Sequence, residues 1–372
     1  MAQMPRIANS SPQADNQTRT SLDVQSNISH QLHVFLLMRT FPSLALRALA
    51  PALLLSLAAG GEARAGSYDP LTVSATIRSS HLDLTVHDAT RNRDIPLRVY
   101  VPAGNGSAPV ILFSHGLGGS RAGSAFLGEH WATRGYVAVF VQHPGSDESV
   151  WRDKPERDRM RALKKAASLE NFLLRAQDVP AVVNQLEVWN ADKTNQLAGR
   201  LDLRKVGMSG HSFGAVTTEA VSGQRLPVGG QKLTDPRIKA ALVLSPSTPR
   251  AGSAEKAFGA VKIPWLLMTG TKDLAPIGNA DLKSRLAVYP ALRGAPKYEL
   301  VLHNAEHSVF TDRALPGDHE PRNPNHHRVI LALSTAFWDA YLRGDAAALA
   351  WLSGPDPRAV MEPDDRWQSS EH

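Results

Sequence analysis

Seven apolar runs spaced along the chain constrain its fold more than any other feature. They are LRVYVP (97–102), APVILFSHG (108–116), GYVAVFVQHPG (135–145), RKVGMSGHS (204–212), IKAALVLSP (238–246), IPWLLMTGTKD (263–273) and KYELVLHNAEH (297–307). Most are apolar throughout instead of alternating with polar residues. That pattern suits strands covered on both faces, as in a parallel sheet with helices packed above and below. The stretches between them are helix-compatible, which predicts a doubly wound α/β domain. Asp178 and Pro180 read as the cap and first turn of a helix running into AVVNQLEVW. Residues 326–342 predict a final helix. Residues 144–177 exceed a simple connection; their charges recur at helical spacing around Met160, Leu163, Leu169, Phe172 and Leu173. A solvated amphipathic helix and a cap or lid over residues 146–177 are both compatible with that pattern.

Within the fourth run lies Gly210-His211-Ser212-Phe213-Gly214. The pentapeptide alone is weak, but a strand precedes it and a helix-compatible FGAVTTEAV follows. A strand, a tight turn and a helix lift a serine above the sheet edge, and glycines flank it because strand and helix approach too closely for side chains. This is the nucleophile elbow of the α/β-hydrolase fold: a mostly parallel central sheet with helices on both faces. A serine hydroxyl needs a base, and the base needs an orienting acid. In chain order, Asp273 falls at the end of the IPWLLMTG run and His307 in the loop after KYELVL. The run before Asp273 ends without a carboxylate. His303 is a rival base but sits within or at the end of its strand, and Glu306 reads as a surface residue. The oxyanion donors expected are the backbone N–H groups of Phe213 and of Leu117, the latter in the HGLGG loop after the early strand.

Weaker signals surround this set. His143 ends a strand where open α/β sheets bind ligands, and with His211 it is a candidate to line the pocket. His319, His326 and His327 share a polar loop but have no metal-ligand spacing with a mechanism. No phosphate-binding or dinucleotide glycine pattern is present. The chain has no cysteine, which excludes thiolate nucleophiles, Cys-ligated zinc, iron–sulfur clusters and disulfides.

The N-terminal part carries a different message. Residues 1–37 read as an upstream extension produced by a mis-assigned start, with translation expected from Met38. Residues 38–65 have a positive start (Arg39, Arg47), an apolar core from Ala48 to Gly60 and an Ala63-Arg64-Ala65 cleavage site. That reads as a secretory signal peptide, too short and wrongly flanked for a span, with an uncleaved apolar anchor as the alternative. Export to the periplasm or medium is therefore expected, with Gly66–His372 as one domain and no stable membrane insertion after cleavage. Removing the +2 of residues 1–65 from the +6 of the whole chain leaves +4, spread without the basic patches of a nucleic-acid binder.

FSHGLGG, GHSFGA, TGTKDLAPIG and HNAEHSVF together resemble the bacterial dienelactone hydrolase-like α/β-hydrolases, and are similar in outline to their platelet-activating factor acetylhydrolase and polyester-hydrolase branches. The resemblance runs from about Leu97 to Leu342. It implies Ser212, Asp273 and His307 as the triad, with Leu117 and Phe213 as oxyanion donors. True dienelactone hydrolases use a cysteine, so the resemblance implies serine-esterase chemistry and not the dienelactone substrate. The expected activity is hydrolysis of a small or polymeric carboxylic ester without metal or cofactor. An amidase or peptidase, a polyester depolymerase or an acyltransferase would use the same residues, and a non-catalytic binding protein on the same fold is the alternative of a different class.

Overall fold

The apolar runs are strands whose two faces both meet helices. The computed structural model describes residues 68–73, 79–278, 280–315 and 317–370; the expected signal segment lies outside them. Among these residues the strands are β1 Ser80–Asp88, β2 Arg93–Val101, β3 Ala108–Ser114, β4 Val137–Val141, β5 Leu201–His211, β6 Ile238–Leu244, β7 Trp265–Lys272, β8 Lys297–Glu306 and β9 Arg366–Ser370. They form one sheet in the order β1-β2-β4-β3-β5-β6-β7-β8-β9. The central strands β3 to β8 are parallel to one another, whereas β1, β2 and β9 pair antiparallel at the two edges. The mostly parallel sheet of an α/β-hydrolase is therefore present.

The helices are α1 Ala125–Thr133, α2 Glu156–Ala166, α3 Leu169–Ala191, α4 Phe213–Val221, α5 Ala254–Phe258, α6 Leu282–Leu286, α7 Val288–Ala291, α8 Pro324–Trp338 and α9 Ala346–Ser353. Alternate residues of one strand belong to opposite cores. Ile111 and Phe113 of β3 join Trp131 of α1 and Phe337 of α8 on one face. Val110 and Leu112 of the same strand join Val179, Val182 and Leu186 of α3 on the other. Because a strand alternates sides with period two, only a continuous apolar run satisfies both faces.

One expected helix start is corrected. Asp178 and Pro180 do not open a helix; both lie inside the 23-residue α3, which Ser168 caps by accepting from the Asn171 N–H. Proline within a helix costs about 3 kcal/mol, which the burial of the α3 face offsets. Asp178 does not cap because its carboxylate is used elsewhere. It is fully buried and accepts from Arg91 Nη1 at 2.9 Å, Arg93 Nε at 2.8 Å and His143 Nδ1 at 2.9 Å. Burial alone would raise this carboxyl, but the hydrogen bonds and charges of His143 and Arg93 hold it below the ordinary range.

Residues 144–177 contain α2 and the start of α3. Their charged faces meet solvent, while Trp151 and Leu163 turn inward: Trp151 Nε1 donates to the Gly118 carbonyl at 2.8 Å, and Leu163 would lie 2.6 Å from a methyl added at Gly118. The segment thus rests on the HGLGG loop.

Removing the Asp178 carboxylate strands two arginines and a histidine beneath α3. Asp178→Ala is expected to lose about 3–5 kcal/mol of unfolding free energy, measured by urea denaturation; a loss under about 1 kcal/mol, the value of an exposed ion pair, would contradict this account.

Candidate active site

Ser212 stands between β5 and α4 with φ 58° and ψ −114°, a left-handed backbone conformation for a residue that is not glycine. Such strain persists only where surrounding structure over-determines it. Here the fixing contact is main chain against main chain. A methyl added at Gly214 would lie 1.8 Å from the Ser114 carbonyl oxygen, and one at Gly210 would lie 2.3 Å from the Gly214 oxygen. The Ser212 N–H donates to the Leu244 carbonyl at 3.0 Å, tying the turn to β6.

The ends of β7 and β8 bring the other two residues in. A register shift between Gly270 and Lys272 accompanies an approach so close that a methyl at Gly270 would sit 2.0 Å from the Ala305 oxygen. Asp273 follows β7, and His307 opens the short helical turn after β8. His307 Nδ1 lies 2.6 Å from Asp273 Oδ1, and its Nε2 lies 2.8 Å from Ser212 Oγ. A carboxylate only accepts, so Nδ1 carries the proton and Nε2 is free to accept the serine hydroxyl proton. With Nδ1 committed to Asp273, Arg285 Nη2 at 3.3 Å from that nitrogen is a neighbour and not its donor. His303, the rival base, is exposed on β8. Glu306 accepts from the His319 N–H at 2.9 Å and from the Glu320 N–H, and so holds the following loop.

Sequence reasoning missed the groups that hold Asp273. Oδ1 pairs with Arg285 Nη2 at 2.9 Å, while Oδ2 accepts from Ser245 Oγ at 2.7 Å and Thr269 Oγ1 at 2.8 Å. Arg285 also donates to the Asp273, Ser245 and Pro246 carbonyls. Burial would raise the Asp273 carboxyl, but the charge and hydrogen bond of His307, then Arg285 and the Ser245 hydroxyl, hold it well below the usual carboxylate range. The acid is therefore ionised and fixed in orientation, as an imidazole-orienting group needs to be. Serine, threonine and a surface-patterned arginine carry no sequence signal for this role.

The two expected pocket-lining histidines turn out to be enclosed. His143 is fully buried, with Nδ1 on Asp178 and Nε2 at 2.9 Å from Ser114 Oγ, so it supports the site from beneath and does not line an opening. Burial, then the charge of Arg175, pull its pKa down to about 4. His211 is 4% exposed, and its ring centroid lies 4.6 Å from that of His307. Burial first and the neighbouring His307 second push its pKa well down, so it backs His307 as a neutral ring.

The expected amide donors flank the serine. The Phe213 N–H is at the first position of α4, where helix N–H groups have no partner within the helix. The Gly116–Leu117 turn abuts Ser212: a methyl added at Gly116 would be 3.4 Å from Ser212 Cβ. A serine hydrogen-bonded to a histidine, beside the Phe213 and Leu117 amides, which have no acceptor among the described residues, has the arrangement for adding to a carbonyl carbon and stabilising the resulting oxyanion.

The chain has likenesses among known proteins. Residues 87–180 match the family described as platelet-activating factor acetylhydrolase, isoform II. The chain is 31% identical over 136 residues to the platelet-activating factor acetylhydrolase of Cavia porcellus, covering 29% of this chain and 30% of that one. It is 25% identical over 180 residues to cutinase 2 of Thermobifida cellulosilytica, covering 48% and 53%. With cutinase est1 of Thermobifida alba it shares 24% over 182 residues, covering 49% and 48%. The chain thus spans about half the length of the cutinases it matches. The family match covers the HGLGG loop, α2 and the first half of α3, and stops before Ser212.

Two measurements follow. Gly214→Ala forces a methyl into the Ser114 carbonyl, and it is expected to lower the yield of folded protein or the melting temperature sharply; an unchanged melting temperature would mean that β3 and α4 can separate. Glu219 of α4 is buried and accepts from the Ser247 N–H at 3.1 Å, and burial pushes its carboxyl up to about 8. Between an ordinary 4.5 and about 8 the unfolded chain therefore binds fewer protons than the folded one, so this group lowers stability as pH rises through that window. Glu219→Gln should flatten that decline in urea titrations at the two ends of the window, and an unaltered slope would contradict the assignment.

By its sheet order and its strand–Ser212–helix turn the chain has the α/β-hydrolase fold, and within that fold its likenesses are to the platelet-activating factor acetylhydrolase isoform II family and to the cutinases.

Proposed function

We propose that this protein is an exported serine hydrolase that cleaves carboxylic esters through an acyl-enzyme, acting as a single domain from Gly66 to His372. The observation that carries the reading is the unbroken line of hydrogen bonds from Ser212 Oγ through His307 to Asp273. In the first step the Ser212 hydroxyl gives its proton to His307 Nε2 while Oγ adds to the ester carbonyl carbon. The Leu117 and Phe213 N–H groups receive the negative oxygen that forms. His307 then protonates the departing alcohol as the carbon–oxygen bond breaks, leaving an acyl-Ser212 ester. Water repeats the sequence, losing its proton to His307, and the acid leaves with Ser212 regenerated. Asp273 orients the ring and stabilises its charged form throughout. No metal or cofactor takes part in these steps.

An apolar acyl or alcohol group is supported by the exposed Leu274 directly after Asp273. The likeness to cutinases favours a polymeric ester as the second reading. Export rests on the signal pattern of residues 38–65. Among the described residues no helix is long and apolar enough to cross a membrane.

The test compares the purified protein with Ser212→Ala on p-nitrophenyl esters from acetate to laurate, on a matched anilide and on a polyester film. Ester turnover is expected to fall by roughly 10⁴-fold or more in the variant, with anilide cleavage much slower than ester cleavage in the parent. Release of soluble product from the film would favour the polymeric substrate. Equal rates in parent and variant would remove Ser212 from the mechanism.

A further inference from the structure

The turn that carries Leu117 is held from behind by one side chain. Arg175 of α3 is fully buried, and among the described residues no carboxylate pairs with it directly. Its three nitrogens are instead spent on the HGLGG loop and its neighbour. Nε donates to Ser146 Oγ at 2.8 Å, Nη1 to the His115 carbonyl at 2.8 Å, and Nη2 lies 3.1 Å from His115 Nδ1 and reaches the Gly116 carbonyl at 3.4 Å. The plane of the guanidinium lies over the Phe213 ring, 4.5 Å from its centroid. One buried cation thus touches the peptide of Leu117 and the side chain of Phe213.

The Gly116 carbonyl and the Leu117 N–H belong to a single peptide unit. In a planar trans peptide these two groups point in opposite directions, so fixing one aims the other. The Gly116 oxygen is fixed by three donors: His115 Nδ1 at 2.6 Å, the Gly119 N–H at 3.0 Å and Arg175. The His115 tautomer follows from its other end, where Nε2 accepts from the His143 N–H at 3.1 Å, leaving the proton on Nδ1. The Leu117 N–H has no acceptor among the described residues and faces away from this clamp.

We infer that Arg175 is a positioning residue for the oxyanion donors: it grips the carbonyls behind the Gly116–Leu117 turn and seats Phe213, so that both amides are aimed before substrate arrives. This rests on the serine-hydrolase reading and deepens it. Preorganised donors stabilise a developing oxyanion because they need no reorganisation during the reaction. A planar three-nitrogen fork can span three acceptors in this way, and an ammonium group cannot. The sequence distance between Arg175 and Leu117 gives no hint of the contact, which only the packing of α3 beneath the loop creates.

The test uses Arg175→Lys, Arg175→Met and the milder Ser146→Ala, which removes the Nε acceptor. Turnover of p-nitrophenyl butyrate is divided by the concentration of sites titrated with an irreversible phosphonate. The inhibition constant of a trifluoromethyl ketone with the same acyl chain, whose adduct bears an oxyanion, is measured in parallel. The Arg175 variants are expected to lose roughly 10- to 100-fold in kcat per titrated site, with KM within about twofold. The ketone's inhibition constant should rise by the same factor, and Ser146→Ala should move both quantities in the same direction by less. A merely structural role would lower the number of titrated sites and leave kcat per site and ketone inhibition unchanged, and that result overturns the inference. Should the Arg175 variants fail to fold, unchanged values in Ser146→Ala overturn it equally. Ketone inhibition of the parent, lost in Ser212→Ala, establishes the hydrolase reading separately; its absence would remove that reading and the inference with it.

Discussion

The architecture around Ser212 depends on one contact in which no side chain takes part: the main chain of α4 pressed against the end of β3. At Gly214 there is no room for a single carbon beside the Ser114 carbonyl. This approach sets where α4 can begin, and the start of α4 sets the φ of Ser212. The strained serine is held by hydrogen bonds on both sides, from its own N–H to Leu244 and from the Val216 N–H to its carbonyl. A sheet with apolar residues on both faces makes this affordable, because β3, β5 and β6 cannot shift without opening two cores at once.

Charge is then arranged in two buried groups on either side of the serine. One surrounds Asp273 with His307, Arg285, Ser245 and Thr269. The other links Asp178 to Arg91, Arg93 and His143, and through Ser114 Oγ to Arg175. Buried ion pairs are weak sources of stability, since desolvation offsets most of the attraction. Their effect here is geometric. Each acceptor oxygen of Asp273 has two partners, so the ring of His307 has one favourable orientation.

The strands were legible in the sequence because burial on both faces leaves an apolar run with little else mixed in. The same rule hides the edges. β1 alternates Leu82, Leu84 and Val86 with polar residues, the pattern of a strand buried on one face, and β9 is only five residues long. The order of Ser212, Asp273 and His307 was legible because each follows a strand, and the parallel sheet brings strand ends to one edge. Pro180 misled because a local helix-breaking rule was outweighed by the apolar face of α3, whose residues from Val179 to Leu186 pack on the sheet. Arg175 and Arg285 left no trace at all. Their acceptors are largely main-chain carbonyls from distant segments, and arginine on a charged stretch looks like any solvated residue.

The same packing gives residues 146–177 a role that charge patterning alone could not assign. The Gly118 N–H donates to the Ser146 carbonyl at 2.9 Å, the Glu148 N–H to the Gly119 carbonyl at 2.8 Å, and Trp151 to Gly118. Two of these bonds are backbone to backbone, so they constrain the HGLGG loop whatever the side chains are. Arg175 adds a third kind of tie from the following helix. The segment is therefore one that fixes the loop bearing Leu117. A change in its conformation would alter the direction of the Leu117 amide, because the loop that carries it is held by these hydrogen bonds.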